Sequence, residues 1–203
     1  MSKKQRNGDT VGLKGSALWG LLVFFILIFV DQITKVWADV YFNGENAPAS
    51  IVIIPNMIAL CISYNDGIAF GSLGDSSPFV KILIIVVTAV MMGALTVLYF
   101  RLDKRRSFLR NALVFVVAGG VGNLIDRVYY KIWETGTGLG VRDMVRVNIV
   151  FDFGVCNFAD FFIVGGAVAL LLAFLFFDRD AFFPVGKYKA LAKEMEGKEK
   201  QEK

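Results

Sequence analysis

The sequence predicts an all-α integral membrane protein: four transmembrane helices, both termini cytoplasmic, and a small external β-sheet between the first and second helices. Three observations carry that expectation. Apolar residues make up 56% of the 203-residue chain and mean hydropathy is +0.58, whereas ordinary soluble domains are about half apolar. Four apolar runs approach the ~20 residues that a bilayer-spanning helix needs. Basic and acidic residues segregate into alternate connecting segments, as they do when Lys and Arg are retained on the cytoplasmic side.

The expected helices lie at about 16–37, 82–100, 111–126 and 160–177, in one membrane unit over 1–178, with 179–203 as a charged cytoplasmic tail. The first, "SALWGLLVFFILIFV" (Ser16–Val30), reaches spanning length only by continuing through Asp31 and Lys35 to Trp37. Its lead of Lys3, Lys4, Arg6 and Lys14 resembles that of a secretory signal. Asp31 and Lys35 follow the apolar core directly, however, and the small-residue pattern Ala47-Pro48-Ala49 lies far downstream, so the helix is expected to be retained. The segment 38–80 holds Asp39, Glu45, Asp66 and Asp75 and no Lys or Arg, which places it outside. Within it, "IVIIPNMIALCISYNDGIAF" (Ile51–Phe70) mixes β-branched and aromatic residues with the hairpin signal "YNDG", predicting short strands.

The second helix, "ILIIVVTAVMMGALTVLYF", is uncharged between Lys81 and Arg101. A basic segment follows, with Arg101, Lys104, Arg105, Arg106 and Arg110 against Asp103 alone. The third run, "NALVFVVAGGVGNLI", is short, Gly-rich and the weakest on hydropathy, but charge alternation requires it. Without it, either the acidic loop or the basic tail would lie on the wrong side. Beyond Arg127, "VYYKIWETGTGLGV" predicts a short interfacial helix and a turn from Gly136 to Gly140. The fourth run, Phe161–Phe177, is uncharged, and the tail after it is helix-prone and solvated or headgroup-lying.

The chain has no His, which excludes a His-based triad, a His metal site and an imidazole relay. Cys61 and Cys156 without His make a structural zinc site unfavourable; both are expected as free thiols. No metal, cofactor or nucleic-acid partner is expected.

Ionisable residues are costly at a membrane and mark function by default. "DQITK" sets Asp31 and Lys35 at i, i+4, the spacing of a helical ion pair, and suggests a structural clamp. "GGVGNLIDR" brings Asn123, Asp126 and Arg127 to the end of the third helix; Asp126, held ionised by the adjacent Arg127, would be a brace. "NDGIAF" offers Asn65 and Gly67 in a turn. "NFAD" opens the fourth helix with Asn157 and Asp160 at i, i+3, the chemistry of a helix cap and equally of a site. A catalytic reading needs a second carboxylate beside Asp160, since two Asp sharing a site divide into one protonated and one ionised group. Asp143 and Asp152 both qualify, and periodicity does not choose between them.

Taken in order, "DQITK", "NDGIAF", "GGVGNLIDR", "VRDM" and "NFAD" resemble the lipoprotein signal peptidases (signal peptidase II) of bacteria, from Asp31 to Asp160. The resemblance implies four helices, an external β-cradle, and an intramembrane aspartic endopeptidase that cleaves before a diacylglyceryl-modified cysteine of prolipoproteins. It implies a catalytic pair Asp143 and Asp160, with Asn65, Gly67, Asn123, Arg127 and Asn157 supporting the pair or the substrate, and Asp31, Lys35 and Asp126 in structural ion pairs. The chain departs from the family pattern in the insertion "YYKIWETGTGLG" and in Arg142, which stands where a small apolar residue is usual. "VFDF", with Asp152, is the rival match. A monomer in the bacterial inner membrane, among phospholipids and with its site at the outer face, is the implied setting. A small carrier using Asp31, Asp126 and Asp160, or a non-catalytic scaffold, are the alternatives from other classes.

Overall fold

Helices and strands alternate along the chain: α1 (Lys3–Phe42), β1 (Ile51–Ile54), β2 (Ile58–Asn65), α2 (Pro78–Arg101), α3 (Ser107–Tyr129), β3 (Val141–Asn148), β4 (Asp152–Cys156) and α4 (Phe158–Leu175). The computed structural model describes residues 3–67, 76–104, 106–134, 140–149 and 152–178. In the tail it describes 180, 182–183, 185–186, 188–190, 193–194 and 197; side chains are described from residue 17 onward, that of Asp152 excepted. Among the described residues four helices, over Ala17–Phe42, Pro78–Arg101, Ser107–Tyr129 and Phe158–Leu175, are long and apolar enough to cross a membrane.

The local chemistry sets their ends. Pro78 opens α2, where its missing N–H costs nothing, and Arg101 sits in its last turn against the exposed carbonyls. α3 extends past the expected 111–126 at both ends, because Arg110, Asp126 and Arg127 are buried in protein rather than facing lipid. The low hydropathy of this helix has the same cause. Of its apolar window 56% is buried, against 11% in α1 and α2 and 17% in α4. α3 is the hub that packs on the other three helices, most extensively on α4.

Small residues make that contact close. A Cβ on Gly119 would stand 2.4 Å from the Ala159 carbonyl oxygen, and one on Gly166 would stand 2.9 Å from that of Ala112. Gly165, one position away, has nothing within 4 Å of its Cβ direction.

One antiparallel sheet runs β1-β2-β3-β4. It differs from expectation in that only β1 and β2 lie between the first two helices; β3 and β4 come from between α3 and α4. Successive side chains of a strand point to opposite faces, so in "VRDMVRVN" Arg142 and Met144 face one way while Val141 and Asp143 face the other. The hairpin turn also falls elsewhere than at "YNDG". Pro55 and Asn56 (φ 59°) make it, closed by Met57 N–H donating to Ile54 O at 3.0 Å, while Tyr64 and Asn65 continue β2 beside β3. Asn65 instead forms an Asx turn, its side-chain oxygen accepting Gly67 N–H at 3.0 Å. Tyr130–Glu134 form turns, Lys131 at φ 47°, and most of the expected glycine-rich turn lies outside the described residues.

Met144 of β3 packs with Ala38 and Phe42 of α1, with Leu60, Ile62 and Phe158 around them, and this fastens the sheet to one end of the bundle. The neck between α3 and α4 yields a paired expectation. Gly166→Leu should lower stability by about 1–3 kcal/mol through overpacking, while Gly165→Leu should be close to neutral, read by thermal unfolding in detergent.

Candidate active site

Asp143 and Asp160 reach one cavity from different elements. Asp143, in mid β3 opposite Ser63, is 3% exposed, and its two oxygens accept Asn157 Nδ2 at 2.6 Å and Asn65 Nδ2 at 3.3 Å. The Asx turn occupies the Asn65 oxygen and so leaves its amide nitrogen for Asp143. Asp160 lies in the first turn of α4, where a reciprocal capping box forms: Asp160 N–H donates to Asn157 Oδ1 at 3.1 Å and Asn157 N–H to Asp160 Oδ2 at 3.0 Å. Capping and site chemistry are therefore not alternatives here. Asn157 caps with its oxygen and holds Asp143 with its nitrogen; Asp160 caps with one oxygen and accepts Asn123 Nδ2 at 2.8 Å with the other.

The cavity, about 570 Å³, lies between α2, α3, α4 and the sheet. Its polar end carries Asn65, Asn123, Arg127, Asp143, Asn157 and Asp160, while Met91, Val116, Ile163 and Val164 form an apolar wall. Burial, and next the charge of Asp160, push the Asp143 carboxyl up to about 7 against the pull of its two amide donors. A carboxylic acid that keeps its proton near neutral pH beside a second carboxylate is the arrangement of an aspartic acid–base pair. Cys156 also lines the cavity, but burial and the same two carboxylates push its thiol up to about 12, which leaves it a poor nucleophile. Cys61 and Cys156 are both free, on strands that β3 separates.

Behind the pair stands a buried ionic cluster. Lys35 Nζ lies 2.9 Å from Asp31, 3.6 Å from Asp126, and donates to Asn123 Oδ1 at 2.9 Å. That last bond turns the Asn123 amide nitrogen toward Asp160. Asp31 also accepts Ala159 N–H at 2.9 Å, serving one of the unpaired donors at the start of α4. Asp126 corrects the expectation drawn from its neighbour. Its guanidinium partner is Arg142, which donates from Nη2 at 2.8 Å, Nε at 3.3 Å and the backbone N–H at 3.0 Å. Adjacent helical residues point some 100° apart, so Arg127 turns instead into the cavity. There it donates to Gly67 O at 3.1 Å, and its Nε has no hydrogen-bond partner among the described residues.

The structure thus gathers Asp143, Asp160, Asn65, Asn123, Arg127 and Asn157 at the cavity, ties Gly67 to two of them, and places Asp31, Lys35 and Asp126 behind. The side chain of Asp152 is outside the described residues. Its backbone pairs with Asn148 at the far end of β4 from Asn157.

Sequence reasoning missed Arg142 as a partner of Asp126 and missed Gln32, whose amide bridges Asp31 and Gly122 O. It also missed Asp39, which accepts the Tyr130 hydroxyl at 2.9 Å and the Tyr64 hydroxyl, joining α1 to β2 and to the end of α3. The spacing of these residues, far apart in the chain, carries no local signal. For Arg142, the charge at a position that faces protein was the available clue.

Comparison with known proteins shows the family. The family model described as signal peptidase (SPase) II matches residues 23–176. The lipoprotein signal peptidase of Pseudomonas fluorescens (strain Pf0-1) is 33% identical over 168 residues, covering 81% of this chain and 91% of the relative. That of Clostridioides difficile (strain 630) is 30% identical over 158 residues, covering 78% and 95%. A bacterial membrane enzyme solved by the in meso method at 1.9 Å resolution is similar at 28% identity and TM-score 0.61, over 77% of this chain and 92% of that one.

Two outcomes are expected. Arg142→Met strips Asp126 of its fork and should cost about 3–5 kcal/mol, much of it recovered when Asp126→Asn is added; thermal unfolding measures both. The second concerns Asp143, whose folded-state value near 7 lies above its unfolded value. The folded protein therefore binds the extra proton, and its stability falls as pH rises toward and through 7. Asp143→Asn should gain on the wild type by roughly 2 kcal/mol or more at pH 8 and by little at pH 4, in paired melts.

Proposed function

The chain belongs to the signal peptidase II family, and from that premise we propose that it is an intramembrane aspartic endopeptidase. It removes signal peptides from diacylglyceryl-modified prolipoproteins, cutting before the lipidated cysteine. The observation that carries the assignment of residues is the pairing of Asp143 and Asp160 in one cavity through Asn157, in a chain without His.

The chemistry follows from the protonation states. Asp143, carrying the proton, donates a hydrogen bond to the scissile carbonyl oxygen. Ionised Asp160 takes a proton from water, whose oxygen attacks the carbonyl carbon. As the tetrahedral intermediate collapses, the C–N bond breaks, the nitrogen receives a proton from the pair, and one shared proton remains for the next cycle. The pair titrates as a unit. Arg127 Nε, a buried donor without a partner among the described residues, suits a carbonyl of the substrate backbone. Phe153 and Val155 of β4, the last strand of the sheet among the described residues, wall the cavity, so an extended substrate segment can lie along it. The apolar wall on α2 and α4 receives the acyl chains.

The charge distribution supports cytoplasmic termini, with the sheet and the pair at the outer face of the bacterial inner membrane. The membrane unit over 1–178 works as a monomer with prolipoproteins as partners, bathed in phospholipid, and needs no metal or cofactor.

The test is cleavage of a synthetic diacylglyceryl-cysteine signal peptide by the detergent-solubilised protein. Asp143→Asn and Asp160→Asn should each lower turnover by about 10²–10⁴ while Asp152→Asn stays active. Wild-type activity should fall as pH rises through about 7, where Asp143 loses its proton. An active Asp143→Asn with a dead Asp152→Asn would overturn the pairing. No cleavage by folded wild type, beside an active peptidase on the same peptide, would overturn the function.

A further inference from the structure

A second cavity, about 380 Å³, opens between α1, α2 and α3 at the end of the bundle away from Asp143 and Asp160. Its walls are apolar; Thr96 spends its hydroxyl on Met92 O at 2.8 Å within α2. Leu21 and Phe100 at its margin are exposed on the bundle surface, so the cavity is a groove open to the surrounding lipid. Gly93 helps to make it: a Cβ there would meet nothing within 4 Å. A void of this size in a bilayer is filled by whatever surrounds it, and the surrounding material is acyl chain.

A separate observation says which lipid. Arg110 precedes Leu113, Val114 and Val117 on the stripe of α3 that walls the groove, and is itself 6% exposed. Its guanidinium carbon lies 4.3 Å from the ring centroid of Tyr99, another wall residue, and its Nε has no hydrogen-bond partner among the described residues. Among the same residues no carboxylate pairs with it; Asp178 and Asp180 pair with Arg106. A guanidinium this buried without a counter-ion is costly and calls for an anion. From Arg110 to Val121 the helix rises about 16 Å, close to half the ~30 Å hydrocarbon core.

We propose that this groove binds an anionic phospholipid, with one acyl chain along Leu21, Met92, Gly93 and Leu113 and the headgroup phosphate on Arg110. The Arg101–Arg110 segment, rich in basic residues, adds charge of the same sign at that end. Met92 lines both cavities, but neither Asp143 nor Asp160 contributes to this one, so the proposal does not rest on the peptidase reading.

The test uses the full chain in nanodiscs, exchanging dioleoylphosphatidylcholine for dioleoylphosphatidylglycerol at fixed ionic strength, with retained lipid counted by native mass spectrometry. Wild type should retain phosphatidylglycerol about five- to tenfold more strongly than phosphatidylcholine. Arg110→Gln should erase the preference and Arg110→Lys keep most of it. Gly93→Leu, which fills the groove, should release both lipids. Equal retention of the two lipids by wild type would overturn the proposal, as would an undiminished preference in Arg110→Gln or unchanged retention in Gly93→Leu. Should Arg110→Gln fail to fold, the wild-type preference and Gly93→Leu still decide.

Discussion

The interaction on which the rest of this molecule depends is the buried ionic cluster of Asp31, Lys35, Asp126 and Arg142. These groups are 0–6% exposed, where an unpaired charge would cost several kcal/mol, so each is held by more than one partner. The cluster spans α1, α3 and β3 and reaches the start of α4. It grips the residue that precedes each carboxylate of the pair: Arg142 before Asp143, through Asp126, and Ala159 before Asp160, through Asp31. A strand and a helix are thereby set in register by one electrostatic unit. Backbone hydrogen bonds fix register within the sheet and close packing fixes α3 against α4, and the cluster joins the two.

Around this unit the amide side chains perform two tasks each. Asn157 closes the capping box and supplies the shortest hydrogen bond to Asp143. Asn65 forms an Asx turn and holds the other Asp143 oxygen. Asn123 accepts from Lys35 and donates to Asp160, joining the cluster to the pair. An amide that is committed at one end has its other end fixed in direction. The pair is thus positioned by groups that cannot rotate without losing a bond elsewhere.

Much of this was legible in the sequence, for physical reasons. Apolar length and charge alternation do not depend on tertiary contacts, so the helices and their number were open to view. The site motifs were visible because polar residues at a membrane are costly and therefore conspicuous. The partners were not. Asp126 was paired with Arg127 by adjacency, whereas helical geometry turns neighbours apart and an arginine on a strand takes the place. The two halves of the sheet lie on either side of α2 and α3, and pairing at that separation leaves no local trace. The weak hydropathy of the third run was a sign of position: a helix surrounded by protein can carry glycine, asparagine and charge that a lipid-facing helix cannot.

The charge count of the whole site gives a reason for its working protonation state. Three cations, Lys35, Arg127 and Arg142, are gathered with five carboxylates, Asp31, Asp39, Asp126, Asp143 and Asp160. With every carboxylate ionised the assembly would carry a net negative charge in a poorly solvated setting, where electrostatic energies are many times those in water. A proton held within the assembly lessens that charge. Asp31, Asp39 and Asp126 are each in direct contact with a cation, whereas Asp143 is nearly enclosed and receives only neutral amide donors. Burial and the charge of Asp160 push its carboxyl up to about 7. On the proposed mechanism, the proton is therefore drawn to Asp143. The protonated carboxyl that the proposed hydrolysis uses thus sits against the ionic cluster that holds the fold together, and on that proposal chemistry and stability rest on the same balance of charge.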